Sequence, residues 1–133
     1  MTIALNTALR NTRANAIKTD IDKGGAAGKF RVYSGTRPAS GGTATTLLAE
    51  LTYSYPSAPS ASGGVLTFSA ISPEPSAKAT GTATWGRAVD STGAFVKDFD
   101  VGTAGADFNL NTVSITAGVQ VSCTSAVITE GNP

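Results

Sequence analysis

Histidine is absent from this 133-residue chain, and cysteine, tryptophan and methionine occur once each. Without an imidazole there is no Ser-His-Asp triad, no Cys-His pair and no histidine metal ligand. One cysteine closes neither an intramolecular disulfide nor a four-cysteine zinc site. The lack of a disulfide framework fits synthesis in a reducing cytoplasm. Charged residues make up 14% of the chain, against roughly 25% in an ordinary globular domain. No run approaches the roughly 20 apolar residues that cross a bilayer, so no membrane partner is expected. Residues 1–6, Met-Thr-Ile-Ala-Leu-Asn, carry neither a basic start nor a long apolar stretch, and no secretory leader is expected there.

Small residues fill the space left by these absences. Ala (21), Thr (19), Gly (15) and Ser (13) form about half the chain, beside 32 large apolar residues. That is enough for one thin core, and the length suits a single domain spanning 1–133. The low charge separates the chain from typical disordered sequences. The charge it has is polarised. Residues 1–37 hold seven Lys/Arg and two acids, whereas residues 38–133 hold three bases and seven acids. Such polarity steers one end of a molecule towards an acidic partner or towards another copy. A solvated basic helix face explains it equally well.

The first 25 residues read as a helix with its cap. Asn6 or Thr7 supplies a side-chain acceptor for the first turn. Leu5, Leu9, Ala16, Ile17 and Ile21 recur near helical spacing. Gly24-Gly25 offers the left-handed stop. Arg10, Asn11, Arg13 and Lys18 fall on the face opposite the apolar stripe.

From residue 28 the period changes to two. Lys29-Phe30-Arg31-Val32-Tyr33 alternates as a half-buried strand does. Further strands are expected at 46–53, 65–71, 79–89, 94–98, 107–110, 113–116 and 119–128. A turn-rich loop follows Tyr33, and a long loop runs from Tyr55 to Gly64. Asp90-Ser91-Thr92-Gly93 suits a hairpin built on a type I turn. About eight short strands after one helix point to a mainly β fold. The expected architecture is a two-sheet antiparallel β-sandwich of jelly-roll type over residues 28–129. Sheet edges are then available for strand addition between copies.

Chemistry-bearing clusters are few. Asp98-Phe99-Asp100-Val101-Gly102, with Asp107 nearby, has spacing that could offer oxygen ligands to Ca²⁺ or a carboxylate pair for hydrolysis. It lacks the rest of a twelve-residue calcium loop, and its apolar members fit a strand edge. Cys123 shares an alternating apolar face with Val119, Val121 and Val127 and reads as a structural thiol. Trp85 and Arg87 share a face, either as a cation–π pair or as an anchor for a partner. A lone Trp in a small sandwich is otherwise core. Tyr33, Tyr53, Tyr55 and Trp85 are the aromatics a sugar site would need if exposed. Gly81-Thr-Ala-Thr-Trp-Gly86 lacks the Lys-Ser/Thr of a phosphate loop. The basic helix has no interleaved aromatics, so nucleic acid is not an expected partner. No cofactor is expected.

The order of short motifs carries a resemblance. It begins with Ala8-Leu9-Arg10-Asn11, Val32-Tyr33-Ser34-Gly35-Thr36-Arg37-Pro38 and Thr46-Leu47-Leu48-Ala49. Gly63-Gly64-Val65-Leu66-Thr67-Phe68, the run from Ala79 to Trp85, Asp90–Gly93 and the segment from Val101 to Asn111 complete it. Over nearly the whole chain this order resembles small tailed-bacteriophage virion proteins. Among them it is most similar to capsid decoration or cement proteins, small β-sandwich domains on the outside of the shell. The resemblance implies a non-enzymatic structural protein, made in the bacterial host cytoplasm and carried on the virion exterior. It implies the major capsid protein as partner, with a homodimer favoured. A minor tail or fibre-associated module, with carbohydrate binding, is the alternative. On the leading reading the helix docks onto the shell or a second copy through Leu5, Leu9, Arg10, Arg13 and Ile17. A lattice protein of this kind works through many weak, symmetric contacts.

Overall fold

A computed structural model describes residues 5–130; the outermost parts of the expected domain, 1–4 and 131–133, lie outside the described residues. The helix α1 (Thr7–Asp22) starts where a cap is available: Leu9 N–H donates to Asn6 Oδ1 at 2.8 Å. It stops where Gly25, at φ +79°, bonds back to the Asp22 carbonyl.

Nine strands follow among the described residues: β1 (Lys29–Tyr33), β2 (Leu47–Thr52), β3 (Val65–Thr67), β4 (Gly81–Thr82), β5 (Trp85–Val89), β6 (Phe95–Gly102), β7 (Phe108–Leu110), β8 (Ser114–Ile115) and β9 (Cys123–Thr129). Seven form one curled sheet in the order β2-β1-β5-β6-β7-β9-β3, and β4 with β8 forms a two-stranded ribbon. The long strand β6 joins the halves of the sheet: residues up to Asp100 pair with β5, and Val101 and Gly102 pair with β7. The β6–β7 pairing is parallel, the one exception to the expected antiparallel pattern among the described strand pairs.

The concave face holds one contiguous core from Ala14 to Ile128. Its centre is aromatic. Phe99 stacks on Phe108 with centroids 4.0 Å apart, and Phe30 meets Phe108 edge-on at 4.9 Å. Tyr53 and Phe68 extend the cluster. Gly86 lies beneath two of these rings. A Cβ there would sit 2.8 Å from Phe30 Cε1 and 2.9 Å from Phe99 Cε2, so only glycine allows this approach.

Several expected strands are divided or shifted. The 79–89 segment becomes β4 and β5, because Ala83 N–H donates to Val113 O whereas Thr84 N–H donates to Tyr33 O. The backbone changes partner sheet between those residues. The 65–71 strand ends at Thr67, and Ala70 is exposed. The 119–128 strand begins at Cys123; before it Val121 pairs with Glu74 and Val119 closes a turn onto Thr116. An irregularity opposite Asn109–Leu110 moves the inward positions of β9 to Ala126 and Ile128, so Val127 is only half-buried.

The helix stripe is also different from the one expected. Ala14 and Ile21 are buried and Ile17 packs against the core, whereas Leu9 is 43% exposed and Ala16 is exposed. One free sheet edge is closed. Segment 72–78 runs along β2: Ser72 bonds Thr52 in both directions, Lys78 N–H donates to Leu48 O, and the buried Glu74 carboxylate accepts from Glu50 N–H. Covering an edge in this way removes the template for strand addition there.

Candidate functional site

The convex face of β2-β1-β5-β6 carries a row of charge. Register places Glu50 opposite Arg31, Arg31 opposite Arg87, and Arg87 opposite Asp98. Arg31 Nε donates to Glu50 Oε2 at 2.8 Å. Arg87 reaches Asp98 through Nε at 2.7 Å and Nη2 at 3.1 Å. The two arginines face each other, an arrangement that repels unless each is neutralised. The outer carboxylates neutralise both. The Asp98 hydrogen bond holds the Arg87 guanidinium above its ordinary pKa. A bulge in β6 builds this row. Asp90 pairs with Ala94 and Val89 with Phe95, after which the register shifts at Val96. Unshifted pairing would bring Lys97 opposite Arg87.

Loop 34–46 straps this face. Trp85 Nε1 donates to Thr45 Oγ1 at 3.0 Å, Arg87 Nη2 to Gly42 O at 2.8 Å, and the Arg37 guanidinium lies 3.2 Å from Asp100. Beneath the strap Tyr33 stacks on Trp85 at 4.4 Å, and the Arg87 guanidinium lies 5.3 Å from the Trp85 ring and 5.0 Å from Phe95. Trp85 is therefore buried, with the expected cation–π contact, but on the side of the sheet opposite the main core.

The helix residues named as a docking surface do not share one role. Arg10 turns inward: Nε donates to Glu130 O at 2.7 Å and Nη2 to Gly63 O at 3.1 Å. Asn11 accepts from Gly64 N–H and Asn15 from Ala61 N–H, both at 2.7 Å, and Asp22 accepts from Ser57 N–H. This polar side of α1 anchors the 57–64 loop. It is a seam within the molecule, and Arg10, expected to dock onto the shell or a second copy, spends its guanidinium there. Arg13 is exposed and 3.3 Å from Glu130. Leu5 is half-buried. Ile17 and Val96 line an open hollow of about 740 Å³ beside Ala16 and Thr12.

The three aspartates stay apart as a site. Asp98 is held by Arg87 and Asp100 by Arg37, while Asp107 is exposed and its carbonyl accepts from Val127 N–H. The described residues bring no three acidic, cysteine or histidine side chains together as metal ligands. Asp98 and Asp100 share a face as alternation requires, but arginines take their charge. Asp90 is the carboxylate with the strongest local cage. Its Oδ1 accepts from Thr92 Oγ1, Thr92 N–H and Ala94 N–H, and Lys23 lies 3.6 Å from Oδ2. Those bonds, the Thr92 hydroxyl first, lower its pKa to about 2.

Cys123 is half-buried, and burial pushes its thiol up to about 11, so it stays protonated and weakly nucleophilic at neutral pH. Of the aromatics proposed for sugar contact, Tyr33, Tyr53 and Trp85 are buried and only Tyr55 is exposed. Burial raises the Tyr53 phenol well above its ordinary pKa, and its hydroxyl has no hydrogen-bond partner among the described residues. Phe95, which the alternating pattern did not single out, is the exposed aromatic on this face. No known protein family, curated protein or solved structure matches the chain.

Proposed function

We propose that this protein is a non-enzymatic structural component of a bacteriophage virion, a decoration or cement protein that binds the exterior of the major-capsid shell. In this reading the curled sheet is a jelly-roll-type β-sandwich that pairs with a second copy. One observation carries the reading furthest: the polar side chains fasten backbone. Arg10, Asn11, Asn15 and Asp22 hold the 57–64 loop, and Arg87 holds the 34–46 strap. The long loops are thereby pre-ordered. Pre-ordered surfaces lose less entropy on docking, which suits contacts that are individually weak and many times repeated. The exposed side of α1, with Leu9, Arg13 and Ala16, is the surface offered to the shell.

Particles prepared without the protein and then mixed with purified chain test this directly. The expected result is saturable binding to the shell, seen by cryo-electron microscopy as regular added density, and greater resistance of the shell to heat. Density confined to the tail would move the protein to the tail or fibre alternative. No binding to any part of the particle would reject a virion role. Sedimentation of the free chain as a monomer at all concentrations would reject the dimer.

A further inference from the structure

We propose that the lane between β6 and β9, before the start of β7, is a docking groove for an extended peptide, which enters it as an added strand. In the sheet β7 lies between β6 and β9, but it meets β6 only at Val101 and Gly102. On the β9 side the last rung is Asp107, whose carbonyl accepts from Val127 N–H at 3.0 Å. The chain then leaves the lane. Ala106 is tied back onto β7, its N–H donating to Asn109 Oδ1 and its carbonyl accepting from Asn109 Nδ2. Hydrogen-bond alternation shows which groups this leaves open, because bonded pairs in an antiparallel ladder recur at every second residue. Val101 N–H donates to Thr84 O, so Phe99 and Lys97 also turn their main-chain groups towards β5. The N–H and C=O of Asp98 turn the other way, into the lane. Phe68 N–H donates to Ala126 O and Glu130 N–H to Gly64 O, so Ile128 between them likewise turns towards β3. The N–H and C=O of Thr129 face the lane from its opposite side. Among the described residues nothing pairs with these four groups.

An occupant must bring donors and acceptors to both edges of one lane, and an extended backbone does this. The helix supplies a place for its side chains. α1 packs against β6 and β3, which flank the lane. The hollow of about 740 Å³ along the helix has an apolar centre of Ala16, Ile17 and Val96, with Thr12 and Thr19 beside it. Its two ionised residues, Asp20 and Lys23, already bond to each other at 2.9 Å. The Asp98 carboxylate lies on the convex face, where Arg87 holds it, so an added strand meets no unpaired charge there. The partner is therefore an uncharged segment of another protein, with a β-branched apolar side chain aimed at Ile17 and Val96. Proline is excluded from it, since a missing N–H strands a carbonyl of the lane.

The test uses the full chain and NMR. In the free protein the amides of Asp98 and Thr129 are expected to exchange with solvent much faster than those of Lys97 and Phe99. The probe is the capped peptide Ser-Val-Thr-Val-Ser at millimolar concentration, beside the same peptide N-methylated at its central threonine. The expected result is shifts confined to α1, residues 95–100 and residues 127–129, with slowed exchange at Asp98 and Thr129. N-methylation is expected to weaken binding by about fivefold or more, the scale of one lost main-chain hydrogen bond. Ala16→Trp, a change at an exposed position on the hollow, is expected to abolish the shifts and leave thermal stability unchanged. Five results would overturn the proposal: slow exchange at Asp98 and Thr129 in the free chain, no shifts, shifts centred elsewhere, equal binding of the N-methylated peptide, or equal binding by the Ala16→Trp variant. The experiment contains no virus particle, so its failure leaves the capsid reading untouched.

Discussion

Alternate residues of β1, β5 and β6 meet opposite surroundings. Phe30, Val32, Ala88 and Phe99 face the closed core, in contact with other apolar side chains. Arg31, Tyr33, Trp85, Arg87 and Asp98 face outward, where loop 34–46 bonds to Trp85 and Arg87 and ion pairs join Arg31 to Glu50 and Arg87 to Asp98. The inner face is held by area and shape, which tolerate no empty space. The outer face is held by complementarity of charge, where the loss of one partner strands the other. The same strands therefore break in two different ways.

The largest effect is expected on the inner face. Phe108→Ala removes the ring that meets Phe30, Tyr53, Phe68 and Phe99. It should cost about 3–5 kcal/mol of stability, measured by urea denaturation. A loss under ~1 kcal/mol would mean that the aromatic cluster is not the keystone described. Next comes the outer face. Arg87→Met leaves the Asp98 carboxylate, only 7% exposed, without its cation and should cost about 3 kcal/mol. Adding Asp98→Leu to that variant should restore much of the loss. Simple additivity of the two changes would erase the distinction between the faces.

Gly86→Ala probes the inner face from the opposite direction, by overfilling it. Displacing Phe30 and Phe99 should cost about 1–3 kcal/mol. A neutral result would show that the rings have room to move. The last effect is visible only in acid. The folded Asp90 pKa, about 2, lies below its ordinary 3.8, so its ionised form favours the folded state. That contribution is full above about pH 4 and is lost as pH falls towards about 2. The stability gap between the wild type and Asp90→Asn, measured at pH 6, should therefore close over that interval. A gap independent of pH would show that charge at Asp90 is irrelevant.

Elements dictated by local chemistry could be read in the sequence. The Asn6 cap, the alternation of β1 and the Asp90–Gly93 turn depend on a few neighbouring residues, and each forms as expected. Features decided by distant partners could not be read in this way. Arg10, Asn11 and Asn15 lie on the polar side of a helix, and nothing local says that the 57–64 loop covers that side. The bulge at Val96 sets Asp98 opposite Arg87, and no residue near Val96 announces it. The irregularity opposite β7 likewise changes which face of β9 turns inward, so Ala126 and Ile128 are buried and Val127, on the alternating apolar face of the sequence, is half-buried. The spacing of Asp98 and Asp100 is visible in the sequence, but Arg37 comes beside Asp100 only once loop 34–46 lies across β6.

β6 gives the molecule an unequal resistance to opening. Because one strand serves both halves of the sheet, the backbone pairing between them passes through β6, with residues up to Asp100 held by β5 and only Val101 and Gly102 held by β7. The join on the β7 side rests on two residue pairs, Val101 with Phe108 and Gly102 with Asn109, so local opening is expected there. A pull that tugs the domain from two sides would converge on that single stretch of backbone.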